Sequence, residues 1–121
     1  MTTPRDIAEA FSGHHFRDAY DHLAPDIQWR LVGAETVTGR EQVRALCEQT
    51  LSGLETTTTE FSRFLTIADA DAVAVDVVAS YTATDGSVTV VSSCDLYEFT
   101  QGVVTTITSY TAEVEAATEQ G

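Results

Sequence analysis

Asp85-Gly86 stands between two long strand-like runs, 72–84 and 87–99, and constrains the fold more than any other feature of the chain. An Asp-Gly pair flanked by alternating sequence is a strong signal for a two-residue hairpin, because glycine supplies the positive φ such turns need. Threonine, valine and aromatic residues dominate from Glu55 onward and favour extended backbone. The strands are predicted over 56–67, 72–84, 87–99 and 103–113. Asp69-Ala70-Asp71 marks one turn, and Gln101-Gly102 marks a weaker hairpin. The tail from Glu115 to Gly121 is polar and is expected to fray.

The first half reads differently. Thr3-Pro4 is a helix-start signal, and Ile7, Ala8, Ala10 and Phe11 give the first helix an apolar side. Phe16, Ala19, Tyr20 and Leu23 recur at helical spacing, which predicts a second amphipathic helix over 15–23, stopped by Pro25. Ile27, Trp29 and Leu31 alternate along a strand over 26–32. Gly33 to Gly39 is a turn or ragged ribbon. Val43, Leu46, Cys47, Thr50 and Leu51 form the stripe of a third helix over 40–51. Three helices followed by a long antiparallel meander define an α+β domain with helices packed on one face of the sheet. A chain of 121 residues is one domain, 1–121, and can bury a core without disulfide or metal support.

The hairpin also sets a register. In a two-residue turn Thr84 lies opposite Ser87, and Asp95 then lies opposite Asp76. Opposed residues point to the same sheet face with Cβ atoms roughly 5 Å apart, so two carboxylates would share one site. In a dry pocket such a pair splits into a protonated acid and a charged base. A β-bulge between Ser87 and Asp95 would break the pairing. The same register places Val78, Val91, Tyr97 and Phe99 on the face of the two aspartates. Cys94 and Leu96 fall on the other face with Val75 and Val77. That second face is the more uniformly apolar, and a homodimer through the outer face of the sheet would cover what the helices leave exposed.

Composition excludes several partners. Nineteen acidic and six basic residues give a formal charge of −13, which disfavours nucleic acid and anionic membranes. No run approaches a membrane span, and the opening Met1-Thr2-Thr3-Pro4-Arg5-Asp6 lacks a signal-peptide pattern. Two cysteines make neither a disulfide framework nor a metal spacing, so the expectation is a reduced, cytoplasmic protein. Asp76 and Asp95 lack a third ligand and phosphate-cradling Gly-rich loops are absent, so no metal or cofactor is expected. His14-His15 reads as a surface turn, and Cys94 as an interface thiol.

The order helix–helix–strand–helix–meander resembles the nuclear-transport-factor-2-like (NTF2-like) superfamily, in its SnoaL-like and ketosteroid-isomerase-like branch. The resemblance is carried by L23-A24-P25-D26-I27-Q28-W29, G39-R40-E41-Q42-V43-R44, C94-D95-L96-Y97-E98-F99-T100-Q101-G102-V103-V104 and S109-Y110. It implies a cone-shaped fold, a curved sheet around the helices with an apolar pocket open at one end, and dimers through the outer sheet face. Asp95 matches the protonated aspartic acid of the steroid isomerases' oxyanion hole. Their base position is Leu31 here, and their tyrosine position falls near Ile7. V75-D76-V77 resembles the strand on which limonene-epoxide-hydrolase-like members hold an acid; their arginine would be Ala74 and their second aspartate Ser109.

The candidate site is therefore Asp95 and Asp76 as acid and base, with Trp29, Leu31, Tyr97, Phe99, Val78 and Val91 around a hydrophobic small molecule. The chemistry implied is cofactor-independent proton transfer: isomerisation, cyclisation, dehydration or epoxide opening. A binding module without turnover and a dimeric assembly domain are the alternatives.

Overall fold

The computed structural model describes residues 2–115, and the part of the predicted frayed tail beyond Glu115 lies outside them. Helix α1 (Pro4–Ser12) begins where the sequence signals it. Thr3 caps it reciprocally with Asp6, with Pro4 in the first turn. Helix α2 (Arg40–Leu54) buries Val43 and Cys47 and leaves charged residues outward. The strands are β1 (Leu23–Leu31), β2 (Glu35–Thr38), β3 (Thr58–Ala68), β4 (Ala72–Thr82), β5 (Val88–Thr100) and β6 (Val103–Val114). They form one sheet in the order β2-β1-β6-β5-β4-β3. All neighbours are antiparallel except β1 and β6, which run parallel.

The helix predicted over 15–23 is not formed. Two single 3₁₀ turns, Phe16–Asp18 and Tyr20–His22, take its place, so two α-helices replace the expected three. The periodicity was real, because Phe16, Ala19, Tyr20 and Leu23 are all buried. Leu23 and Ala24, however, already belong to β1. Pro25 falls where the β1–β6 register shifts, between Leu23 and Gln28, so its missing N–H breaks no ladder bond.

The hairpin at Asp85-Gly86 carries the larger correction. Ala83, not Thr84, pairs with Ser87: the Ala83 N–H donates to the Ser87 carbonyl at 2.9 Å, and the Gly86 N–H donates to the Ala83 carbonyl at 2.9 Å. The loop is the three residues Thr84-Asp85-Gly86, with Gly86 at φ 87° as the left-handed closing residue. Asp85 Oδ1 accepts from both the backbone N–H and the hydroxyl of Ser87, which fixes this wider turn. Asp95 therefore lies opposite Val75, and Asp76 opposite Cys94. A slip of one residue turns every β4 side chain to the other face. Val73, Val75, Val77 and Ala79 point inward and are buried, whereas Val78 points outward.

The core lies between the inner sheet face and the two helices. Phe11 stands at its centre, edge-on to Phe16 at 4.9 Å, Trp29 at 5.1 Å and Tyr97 at 6.1 Å between ring centroids. Each such contact adds about 0.5–1.5 kcal/mol beyond burial.

Candidate functional site

Three neighbouring strands and the end of α1 converge on Asp95. On β5 the alternation puts Ser93, Asp95 and Tyr97 inward. On β6 the register sets Ser109 directly opposite Asp95, and on β1 Leu31 sits beside Ser109. The last residue of α1, Ser12, reaches the same point from above the sheet.

Both carboxylate oxygens of Asp95 are engaged. The Ser12 hydroxyl donates to Oδ2 at 2.7 Å, and the Ser109 hydroxyl donates to Oδ1 at 2.6 Å. Each serine is backed by a further donor. Trp29 Nε1–H donates to Ser109 Oγ at 2.9 Å. Ser12 has one hydroxyl proton, committed to Asp95, so the Tyr97 hydroxyl 2.5 Å away must donate to it. Two relays, Tyr97→Ser12→Asp95 and Trp29→Ser109→Asp95, thus fix the carboxyl group. Burial pushes the Asp95 carboxyl above the ordinary aspartate range, and the Ser109 and Ser12 hydrogen bonds pull part of the way back. Burial, with the Asp95 charge nearby, drives the Tyr97 phenol well above its ordinary value.

Asp95 opens into a cavity of about 180 Å³. Its walls are Phe11, Phe16, Trp29, Leu31, Phe61, Val77, Ala79 and Val91, with Ser12, Ser93, Asp95, Ser109, His14 and Tyr81 among the polar groups. Of the residues singled out from sequence, Asp95, Trp29, Leu31 and Val91 line it. Tyr97 and Phe99 point inward but are core: Tyr97 lies behind Ser12, and Phe99 is buried among the apolar cluster.

Asp76 and Val78 are not at the cavity. Asp76 is on the outer face, where Arg63 Nε donates to its Oδ2 at 2.8 Å. The expected Asp76–Asp95 pair does not exist, because the three-residue turn moved β4 by one position. Ser12, Ser109, His14 and Tyr81 take the polar places that the sequence had assigned to Asp76. Ser12 is the last residue of α1, and Tyr81 shares the inward face of β4 with Val77 and Ala79. His14 had read as surface turn, yet it sits at φ 68° with its ring turned in against Phe16, Phe61 and Tyr81. Among the described residues no three His, Cys, Asp or Glu side chains gather to hold a metal, and no helix is long and apolar enough to cross a membrane.

Two α-helices packed on a mixed six-stranded sheet are the arrangement of the NTF2-like fold. An NTF2-like protein of unknown function from Cytophaga hutchinsonii superposes with a TM-score of 0.76 and 26% identity, over 88% of this chain and 93% of that one. A candidate polyketide cyclase from Pseudomonas putida gives 0.71 and 14%, over 91% and 92% of the chains. A candidate isomerase from Rhodopseudomonas palustris gives 0.63 and 16%, over 87% and 82%. No curated protein matches the sequence. Residues 5–107 match the SnoaL-like domain, and the chain belongs to that family.

Proposed function

We propose that this protein is a cofactor-independent acid–base enzyme acting on a small, mostly apolar molecule, with Asp95 as the group that carries the proton. One observation supports this above all: a single carboxyl group, raised by burial, is held at both oxygens and opens into an apolar cavity. A carboxylate whose pKa is lifted toward neutrality is a stronger base when charged and remains a usable acid when protonated. The carboxylate takes a proton from a carbon of the ligand, and the C–H electron pair passes into the ligand's π system. The carboxylic acid then returns the proton at another atom, so no co-reactant is consumed. Trp29, Leu31 and Val91 line the ligand's path, and the Ser12 and Ser109 hydroxyls keep the carboxyl aimed. The names carried by the structural neighbours, candidate cyclases and a candidate isomerase, agree with this class of chemistry.

The experiment is a panel of small neutral ketones, enones and epoxides followed by NMR in deuterated water. Deuterium incorporation or product formation by the wild-type protein, lost by at least about 100-fold in Asp95→Asn with its melting curve intact, is the expected result. Equal turnover by both proteins overturns the proposal. A binding module without turnover is the second reading. It is favoured by the fact that both Asp95 oxygens already carry protein hydrogen bonds. It predicts ligand binding without any change in the ligand.

We also propose a homodimer through the outer sheet face, where Leu65 and Ile67 on β3, Leu96 on β5 and Tyr110 on β6 are exposed. Sedimentation of the wild type as a dimer and of Leu96→Asp as a monomer is expected; an unchanged species in the variant refutes this surface.

A further inference from the structure

The cavity has a second polar end that acid–base chemistry at Asp95 does not use. His14 Nε2 and the Tyr81 hydroxyl lie 2.9 Å apart, and both residues line the cavity. His14 Nδ1 is buried and has no hydrogen-bond partner among the described residues.

That orphan atom settles how the pair is protonated. Burial, with the nearby His15, lowers the His14 pKa, so the ring is neutral at physiological pH and carries one proton. If Nδ1 held that proton, a buried N–H would be left without an acceptor, the rarer and costlier arrangement. The proton therefore sits on Nε2 and is donated to the Tyr81 oxygen. The Tyr81 hydroxyl makes no other hydrogen bond among the described residues, so its own proton is free. Accepting a hydrogen bond makes it a better donor.

Cavity size and charge restrict what could use that proton. Apolar cavities of about 150 Å³ take up benzene. A space of about 180 Å³ therefore suits one ring with a short substituent. Among the described residues no arginine lines it and Asp95 is the only carboxylate in its walls, and the chain has a formal charge of −13. An anion would meet repulsion without a counter-charge.

From this we infer that Tyr81, positioned by His14, is a ligand-binding residue that donates a hydrogen bond to a carbonyl or other acceptor oxygen of a neutral, one-ring-sized molecule. This deepens the acid–base proposal and rests on the cavity being its binding site. Proton removal by Asp95 leaves negative charge on the ligand, and a donor on its oxygen is where that charge can be held.

The test uses an isosteric pair, acetophenone and α-methylstyrene, which differ by a carbonyl oxygen in place of a methylene group. Trp29 is the only tryptophan, and its indole N–H donates to Ser109 at the cavity wall, so one NMR resonance reports occupancy. The wild type should bind acetophenone about three- to tenfold more tightly than α-methylstyrene, the range of one net hydrogen bond. Tyr81→Phe should abolish the preference for acetophenone or reverse it, because the buried carbonyl then has no donor, and His14→Leu should lower the ratio in the same direction. The ratio of affinities cancels changes of cavity shape that act on both probes, so a merely structural role for either residue would leave it unmoved. A ratio near one in the wild type, or one that survives in Tyr81→Phe, overturns the inference while the cavity remains a binding site. Tighter binding of benzylammonium than of acetophenone overturns it too, because Asp95 would then be the recognition centre. No shift of the Trp29 resonance with any of the three probes removes the binding site itself, and this inference with it.

Discussion

The relay Tyr97→Ser12→Asp95 makes a quantitative prediction about stability. Ser12 is 6% exposed and Tyr97 0%. Their hydroxyls are 2.5 Å apart, and Ser12 donates onward to Asp95 at 2.7 Å. Tyr97→Phe keeps the ring and its packing and removes one neutral donor, which costs about 1 kcal/mol. Ser12→Ala should cost more. It removes a hydrogen bond to a charged group, worth about 1.5–3 kcal/mol, and leaves the buried Tyr97 hydroxyl without a partner, another 1–3 kcal/mol. The higher helix propensity of alanine returns about 0.5 kcal/mol. The expected loss is about 3–5 kcal/mol. In the double variant no orphaned hydroxyl remains, so it should lose only about 2–3 kcal/mol and be more stable than Ser12→Ala alone. Urea unfolding at pH 8, with unchanged m-values, measures all three against wild type. If the double variant instead falls to the sum of the two single losses, within about 0.5 kcal/mol, the two side chains are not coupled and the relay order is wrong.

Titration of stability gives two predictions of opposite sign. Asp95 has a folded pKa raised by burial, so the folded state holds its proton more tightly than the unfolded chain. Its contribution is therefore most favourable below the unfolded value, near pH 4, and is lost as pH rises through the folded value. Asp95→Asn should flatten this fall, and wild-type and variant curves that stay parallel from pH 4 to 8 would contradict it. Glu48 behaves the other way. The Arg17 guanidinium, at 2.8 Å and 3.0 Å, and then the Tyr20 hydroxyl, at 2.7 Å, hold its carboxyl down to about 2. Its stabilisation is present above the ordinary value of 4.5 and declines as pH falls toward 2, and Glu48→Gln should remove that part of the acid transition. Breaking the Arg63–Asp76 pair with Asp76→Asn should leave ligand affinity unchanged, because the pair lies on the far side of the sheet from the cavity. A loss of binding in that variant would return Asp76 to the site.

The two hairpins of the second half show why the fold was legible and the site only partly so. Both turn signals mark real turns, and the predicted strands are present within a few residues of their expected ends. Turn existence follows from local chemistry, because Asp-Gly and Gln-Gly both disfavour continued strand. Turn length does not. The weaker signal, Gln101-Gly102, is the true two-residue loop, with φ of 52° and 80° and Thr100 opposite Val103. The stronger signal, Asp85-Gly86, closes a three-residue loop because Asp85 accepts two hydrogen bonds from Ser87 and holds it opposite Ala83. That choice between two low-energy turns is worth little locally. It becomes decisive because burying Val73, Val75, Val77 and Ala79 is worth about 1–3 kcal/mol per large side chain, and only one register buries them. Asp95 could be identified from its own strand, since the alternation that puts Tyr97 and Phe99 inward puts it inward too. Its hydrogen bonds could not, although the family resemblance had already marked position 109, because Ser12 arrives from α1 and Ser109 from β6. Serine is too common a strand and helix-end residue to stand out in sequence. Tertiary packing thus replaced the expected like-charged pair with two hydroxyl donors, and the acid needs no second carboxylate to be held in place.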